Sequence, residues 1–97
     1  MNNINLIGRL TRDPEPVEGT ETPLTRMRLA VAGKTDDDTL FIDVVAFTKL
    51  ATSCAEHLSK GRQVAVTGKL RYREWETDEG SRRSAHSVIA DRVDFLG

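Results

Sequence analysis

The chain has a single cysteine, Cys54, among its 97 residues, so no disulfide can form within it and no Cys-x-x-Cys metal site is available. That usage fits a reducing compartment. No segment approaches the ~20 consecutive apolar residues a membrane-spanning helix needs, and Met1 to Asn5 carries no basic stretch leading into an apolar run. Neither a spanning helix nor a signal peptide is expected, and the cytoplasm is the expected compartment. Charge of one sign is also missing: 14 Lys and Arg stand against 15 Asp and Glu, a formal net charge of −1. Binding of a polyanion by bulk charge is thereby excluded, and any nucleic-acid site has to be a local patch. Aromatic residues make up only 5% of the chain, with one Trp and one Tyr, so the face on which they fall carries information.

What remains is a short chain, 38% hydrophobic and 30% charged, expected to form one domain over residues 1–97. A chain of this length buries only about 60 to 65% of its unfolded surface, so its core is thin and self-association would help stabilise it. Most of the sequence alternates with the two-residue period of half-buried strands. Ile4, Leu6 and Leu10 oppose Asn5, Ile7 and Arg9. Met27, Leu29 and Val31 oppose Arg26, Arg28 and Ala30. Phe41, Asp43, Val45 and Phe47 share a parity on a third strand, Leu40 to Phe47, which follows a hairpin tip at Gly33 to Asp38. Asp13 to Pro23 holds all three prolines and reads as an exposed loop.

The period then becomes helical. Leu50, Ala51, Cys54, Ala55 and Leu58 recur at that spacing, with Thr48 placed as N-cap and Gly61 as the left-handed residue ending the helix. Val64, Val66, Gly68, Leu70 and Tyr72 next face one way, and Lys69, Arg71, Arg73 and Trp75 the other. Thr77 to Gly80 turns the chain, and Arg83 to Leu96 supplies the last strand. The expected fold is all-β with one helix, five strands in β-β-β-α-β order, the helix lying between the third and the fourth.

Catalytic chemistry has little to rest on. His57 and His86 have no partner at a spacing that defines a nucleophile–base pair or a metal site, and Cys54 falls on the apolar stripe of the helix. Asp36 to Asp38 lacks the ligand spacing of a calcium loop. No metal, cofactor or enzymatic activity is expected. The informative pattern is Trp75 among Lys69, Arg71 and Arg73, with Phe41 and Phe47 on one face of the third strand and Arg26 and Arg28 pointing outward on the second. Core packing is an alternative for each Phe, and subunit packing for Trp75. Taken together they describe a groove, since bases offer π-faces to aromatic rings while Arg and Lys attract phosphates.

At these residues the chain resembles the bacterial single-stranded DNA-binding protein family. The resemblance is carried by Asn5-Leu6-Ile7-Gly8-Arg9-Leu10-Thr11-Arg12-Asp13-Pro14-Glu15, Phe41-Ile42-Asp43-Val44-Val45-Ala46-Phe47, Lys49-Leu50-Ala51, Leu58-Ser59-Lys60-Gly61 and Asp91-Arg92-Val93, in that order. It implies an OB-fold, a five-stranded barrel, and a homotetramer that wraps single-stranded DNA in replication, repair or recombination. By position, it implies stacking on Phe41, Phe47 and Trp75, basic contacts from Lys49, Lys60, Arg71 and Arg73, and groove positions for Arg9 and Arg28. A further stacking aromatic of the family falls near Thr35, and Asn5 replaces a usually apolar residue of the first strand. The chain reaches Gly97 without the linker and acidic tip through which such proteins recruit others, so tail-mediated recruitment is not expected of it. A dimeric primosomal accessory OB protein is the alternative within binding proteins, and the tetramer-family motifs speak against it. An OB-fold nuclease would need clustered carboxylates around a metal. A barrel that binds only proteins would show no oligonucleotide binding at low salt.

Overall fold

The computed structural model describes residues 1–97. Its elements are β1 (Ile4–Leu10), β2 (Glu15–Val17), β3 (Leu24–Val31), β4 (Leu40–Phe47), α1 (Thr48–His57), β5 (Gln63–Glu76) and β6 (Arg82–Phe95), with a short 3-10 turn at Asp36–Asp38 before β4. The strands lie in the order β1-β5-β6-β4-β3-β2, and β1 also pairs with β3, which closes five of them into a ring. The order β-β-β-α-β writes one strand after the helix, whereas two long strands, β5 and β6, follow it. The loop expected at Asp13 to Pro23 contains the short strand β2, so that four strands precede the helix. β2 pairs Glu15 to Val17 with Arg26, Thr25 and Leu24. Pro16 is tolerated there because β2 lies at the sheet edge, where one side of the strand needs no partner.

Alternation puts one side of each strand inside. Leu10, Met27, Leu29, Val44, Val64, Val66 and Val88 are all at or near zero exposure. Each such side chain contributes about 1.5 to 3 kcal/mol by leaving water. The helix covers one end of the ring, sinking Ala51, Cys54 and Leu58 into the same cluster. The buried Thr25 hydroxyl donates to the Ala51 carbonyl at 2.8 Å, tying α1 to β3.

Both ends of α1 differ from the expected caps. Phe47 is the N-cap, and Thr48 is the first helical residue, at φ +57°. A β-branched residue in the left-handed region is strained. It is held by its N–H donating to the Pro23 carbonyl at 2.9 Å and its hydroxyl to the Phe47 carbonyl at 2.7 Å. At the other end the helix stops at His57 with Leu58 already extended. Gly61, at φ +87°, serves the turn beyond it, closed by the Arg62 N–H on the Ser59 carbonyl.

The second difference is in β5. Leu70 and Tyr72 continue the parity of Val64, Val66 and Gly68 but are exposed, as is every residue of β5 beyond Gly68. The register with β6 shifts between Thr67 and Gly68, leaving Asp91 as the extra residue. β6 stays paired with β4 as far as Ser87, and beyond Arg71 and Ser87 the two strands run on as a two-stranded ribbon to Glu76 and Arg82. A bulge of this kind bends a strand pair and raises its twist.

Burial pushes the Cys54 thiol up from 9.0 to about 11. The folded chain holds this proton more tightly than the unfolded one, so the group's contribution to stability is complete below pH 9 and is lost as the pH rises through 11. An alkylating reagent at about pH 8 should leave native Cys54 unmodified while labelling the urea-unfolded chain fully. Fast labelling without urea would show that α1 is not held on the barrel.

Candidate nucleic-acid interface

The outer face of β3, β4, β6 and β5 forms one continuous surface. In β4 the core side is taken by Ile42, Val44 and Ala46, which turns Phe41, Asp43, Val45 and Phe47 outward. Strand register then sets their neighbours. Arg28, Asp43, Ser87 and Arg71 stand opposite one another across β3, β4, β6 and β5, and Arg26, Val45, Ile89 and Lys69 form the next row. Arg73 pairs with Ala85 and Trp75 with Arg83 on the ribbon.

A groove of about 320 Å³ runs over this face, lined among others by Arg12, Arg26, Asp43, Phe47, Arg71 and Arg73. Phe41 lies at the other end of β4, 54% exposed, with the Arg28 guanidinium 5.7 Å from its ring centre. Trp75, 40% exposed, lies on the ribbon with the Arg73 guanidinium 4.9 Å from its ring. Both cations sit within cation–π range and leave the rings accessible. Six residues of extended chain separate Phe41 from Phe47, roughly 20 Å, so the two rings can serve different nucleotides.

The structure thus brings together Phe41, Phe47, Trp75, Arg28, Arg71 and Arg73. Arg9, at the end of β1, joins the row of Phe41 through Ala30, while its guanidinium donates to the Gly61 carbonyl at 3.0 Å. The other two expected residues lie apart. Lys60 is in the same turn as Gly61, where its backbone N–H donates to the Asp13 carboxylate at 2.8 Å. Lys49 lies on the first turn of α1, lining a separate open groove with Thr48, Thr52, Ser53, Glu56 and His57. Arg12 and Arg26 also line the main groove. The outward parity of Arg26 beside Arg28 places it in the groove pattern read from the sequence, without a contact assigned to it. Arg12 follows β1 in an irregular stretch, where no periodicity assigns a face. No three His, Cys, Asp or Glu side chains come together as metal ligands.

A closed five-stranded ring capped by a helix, with aromatic rings and guanidinium groups across one face, defines an OB-fold of the oligonucleotide-binding type. Residues 1–96 match the single-strand binding protein family, and the chain belongs to that family. A single-stranded DNA-binding protein of Clostridium tetani (strain Massachusetts / E88) is 42% identical over 104 residues, covering 99% of this chain and 70% of that protein. One from Thermotoga maritima is 41% identical over 103 residues, covering 98% of this chain and 73% of that protein. The single-stranded DNA-binding protein 2 of Chlorobaculum tepidum is 31% identical, covering 99% and 71%.

Because Phe41 and Trp75 stand outside the core, replacing either with Ala should move the melting temperature by no more than a few degrees. Phe47→Ala should behave the same way. A drop of ten degrees or more in a thermal melt would mean that its ring supports the barrel.

Proposed function

We infer that this chain is a non-catalytic protein that binds single-stranded DNA without reading a defined sequence, and protects it during replication, repair or recombination. Membership of the single-strand binding protein family is the observation that carries this reading. The outward aromatic and guanidinium face supplies a mechanism. Bases stack on Phe41, Phe47 and Trp75 while Arg28, Arg71 and Arg73, joined by Arg12 and Arg26, hold the phosphates between them. Arg9 and Lys60 at the turn after α1, and Lys49 on the helix, would take up strand leaving this face. Stacking tolerates every base, since each has a π-face, and the ring-to-ring spacing lets the backbone be followed rather than the sequence read.

Self-association belongs to the same proposal, with a homotetramer as its most specific form. Ile7 is 56% exposed on the outer face of β1, and Leu70, Tyr72 and Leu96 are also exposed, more apolar surface than so thin a core leaves uncovered at low cost. Light scattering at micromolar concentration should give a multiple of 10.8 kDa. A monomer mass would defeat this part of the reading. Single strands of this kind would be met in the cytoplasm.

Oligo-dT should quench the intrinsic fluorescence, because Trp75 is the one tryptophan and lies on the proposed face. Unchanged emission at saturation removes Trp75 from the site. Phe41→Ala, Phe47→Ala and Trp75→Ala should each lose about 1 to 3 kcal/mol of binding, a range that itself comes from single-strand-binding proteins. Affinity should fall with salt at a slope of about −0.7 per phosphate neutralised, despite the net charge of −1. A flat salt response would leave stacking alone and sink the role given to Arg71 and Arg73.

A further inference from the structure

The binding face contains one group of the wrong sign. Asp43 lies at the middle of β4, two residues from Phe41, roughly 7 Å along the strand, and lines the same groove as Arg26, Arg71 and Arg73. Its Oδ1 accepts from the Arg28 guanidinium at 3.1 Å, and the Arg28 group in turn stands against the Phe41 ring. The carboxylate side chain is 48% exposed, and its second oxygen accepts no hydrogen bond from the protein. Ring, cation and carboxylate therefore form one unit on the outer face, with Asp43 as the member that reaches the groove.

A carboxylate here repels phosphate. The sugar–phosphate chain is drawn to the guanidinium groups on either side, which leaves the free Asp43 oxygen to meet whatever the bases present. An ionised carboxylate only accepts hydrogen bonds. Cytosine, adenine and guanine carry exocyclic amines that donate to it. Thymine offers only its ring N–H, flanked by two carbonyl oxygens that the carboxylate repels.

We propose that Asp43 discriminates between bases: its free oxygen accepts a hydrogen bond from the exocyclic amine of a base seated beside Phe41, so that the protein favours amine-bearing bases over thymine at that position. This rests on the single-strand reading above. The Arg28 contact fixes the carboxylate's orientation, and the role of Asp43 is one of selection within a surface that otherwise accepts any base.

The test compares three pyrimidines of equal ring size. Binding of oligo-dC, oligo-dT and an oligonucleotide of deoxyribosyl pyrimidin-2-one, which is cytosine without its amine, is measured for the parent, Asp43→Ala and Asp43→Asn, with a thermal melt of each. The substitutions are on an exposed site and should leave the melt unchanged. In the parent, removing the amine from the oligo-dC series should weaken binding, and Asp43→Ala should abolish that difference. The affinity of oligo-dC relative to oligo-dT should fall about five- to tenfold in this variant, while oligo-dT binding holds or tightens as a negative charge is lost. Asp43→Asn, which donates as well as accepts, should flatten the preference too. If Asp43→Ala changes all three oligonucleotides by one common factor, in either direction, Asp43 serves only to hold Arg28 and the proposal fails. If the parent binds none of them, the single-strand reading itself fails, which is a different result.

Discussion

Everything on the binding face depends on closure of the barrel by β1. Its first residues run along β5, from Ile4 opposite Gly68 to Arg9 opposite Gln63, and its last two turn to pair with β3, Arg9 with Ala30 and Leu10 with Leu29. Gly8 sits at the changeover. A Cβ there would lie 2.6 Å from the Ala30 carbonyl oxygen, so only a residue without one lets β1 come so close to β3. Leu10 is carried inside by the same turn, and the α1–β5 connection is fastened to it, the Gly61 N–H donating to the Leu10 carbonyl and the Leu10 N–H to that of Arg62. Without closure, β3 and β5 would each keep an unpaired edge and the thirteen buried residues would face water on one side.

Closure divides labour between the two sides of each strand. The inner side takes the apolar residues, which are few and small, and so leaves the outer side free of any duty to the core. That freedom is what allows Phe41 and Phe47 to stay on the surface at some cost in solvation, alongside four unburied guanidinium groups. The near-neutral chain concentrates cations on this face: Arg26, Arg28, Arg71 and Arg73 are gathered by register from two strands that are far apart in sequence. Asp43 is the single acid among them, and its ion pair with Arg28 shows how one carboxylate can be carried there without being buried.

The ribbon extends the same logic past the barrel. Where β5 and β6 leave the ring, past Arg71 and Ser87, neither of their faces has a core to meet. Trp75 and Arg73 keep the outward side they would have had inside the ring. On the reverse, Tyr72 lies against His86 with ring centres 4.9 Å apart and donates to the Glu74 carboxylate at 2.6 Å. These contacts replace burial as the means of ordering the second face.

Strand alternation determined from the sequence which side of β3 is core, and hence that Arg26 and Arg28 look outward, because the two-residue period ties each side chain to a face whatever the strand's partner. On β4 both parities carry apolar residues, so core packing stayed open for Phe41 and Phe47 until the structure put Ile42, Val44 and Ala46 inside. The order of motifs pointed to the family, and the helical spacing of Leu50, Ala51, Cys54, Ala55 and Leu58 to the helix that follows β4. Only the tertiary structure decided which outward residues meet. Arg71 of β5 reaches the row of Arg28 and Asp43 through β6, and pairing across strands is a property of register, which a period cannot encode. It alone decided that Leu70 and Tyr72 are exposed, since parity says which face a residue is on and not whether anything lies beneath it. It also decided the entry to α1. Thr48 has the composition of a cap, but the β4 strand must turn sharply onto the end of the barrel, and the bond from Thr48 to the Pro23 carbonyl holds it in a left-handed conformation that no local preference of threonine would select.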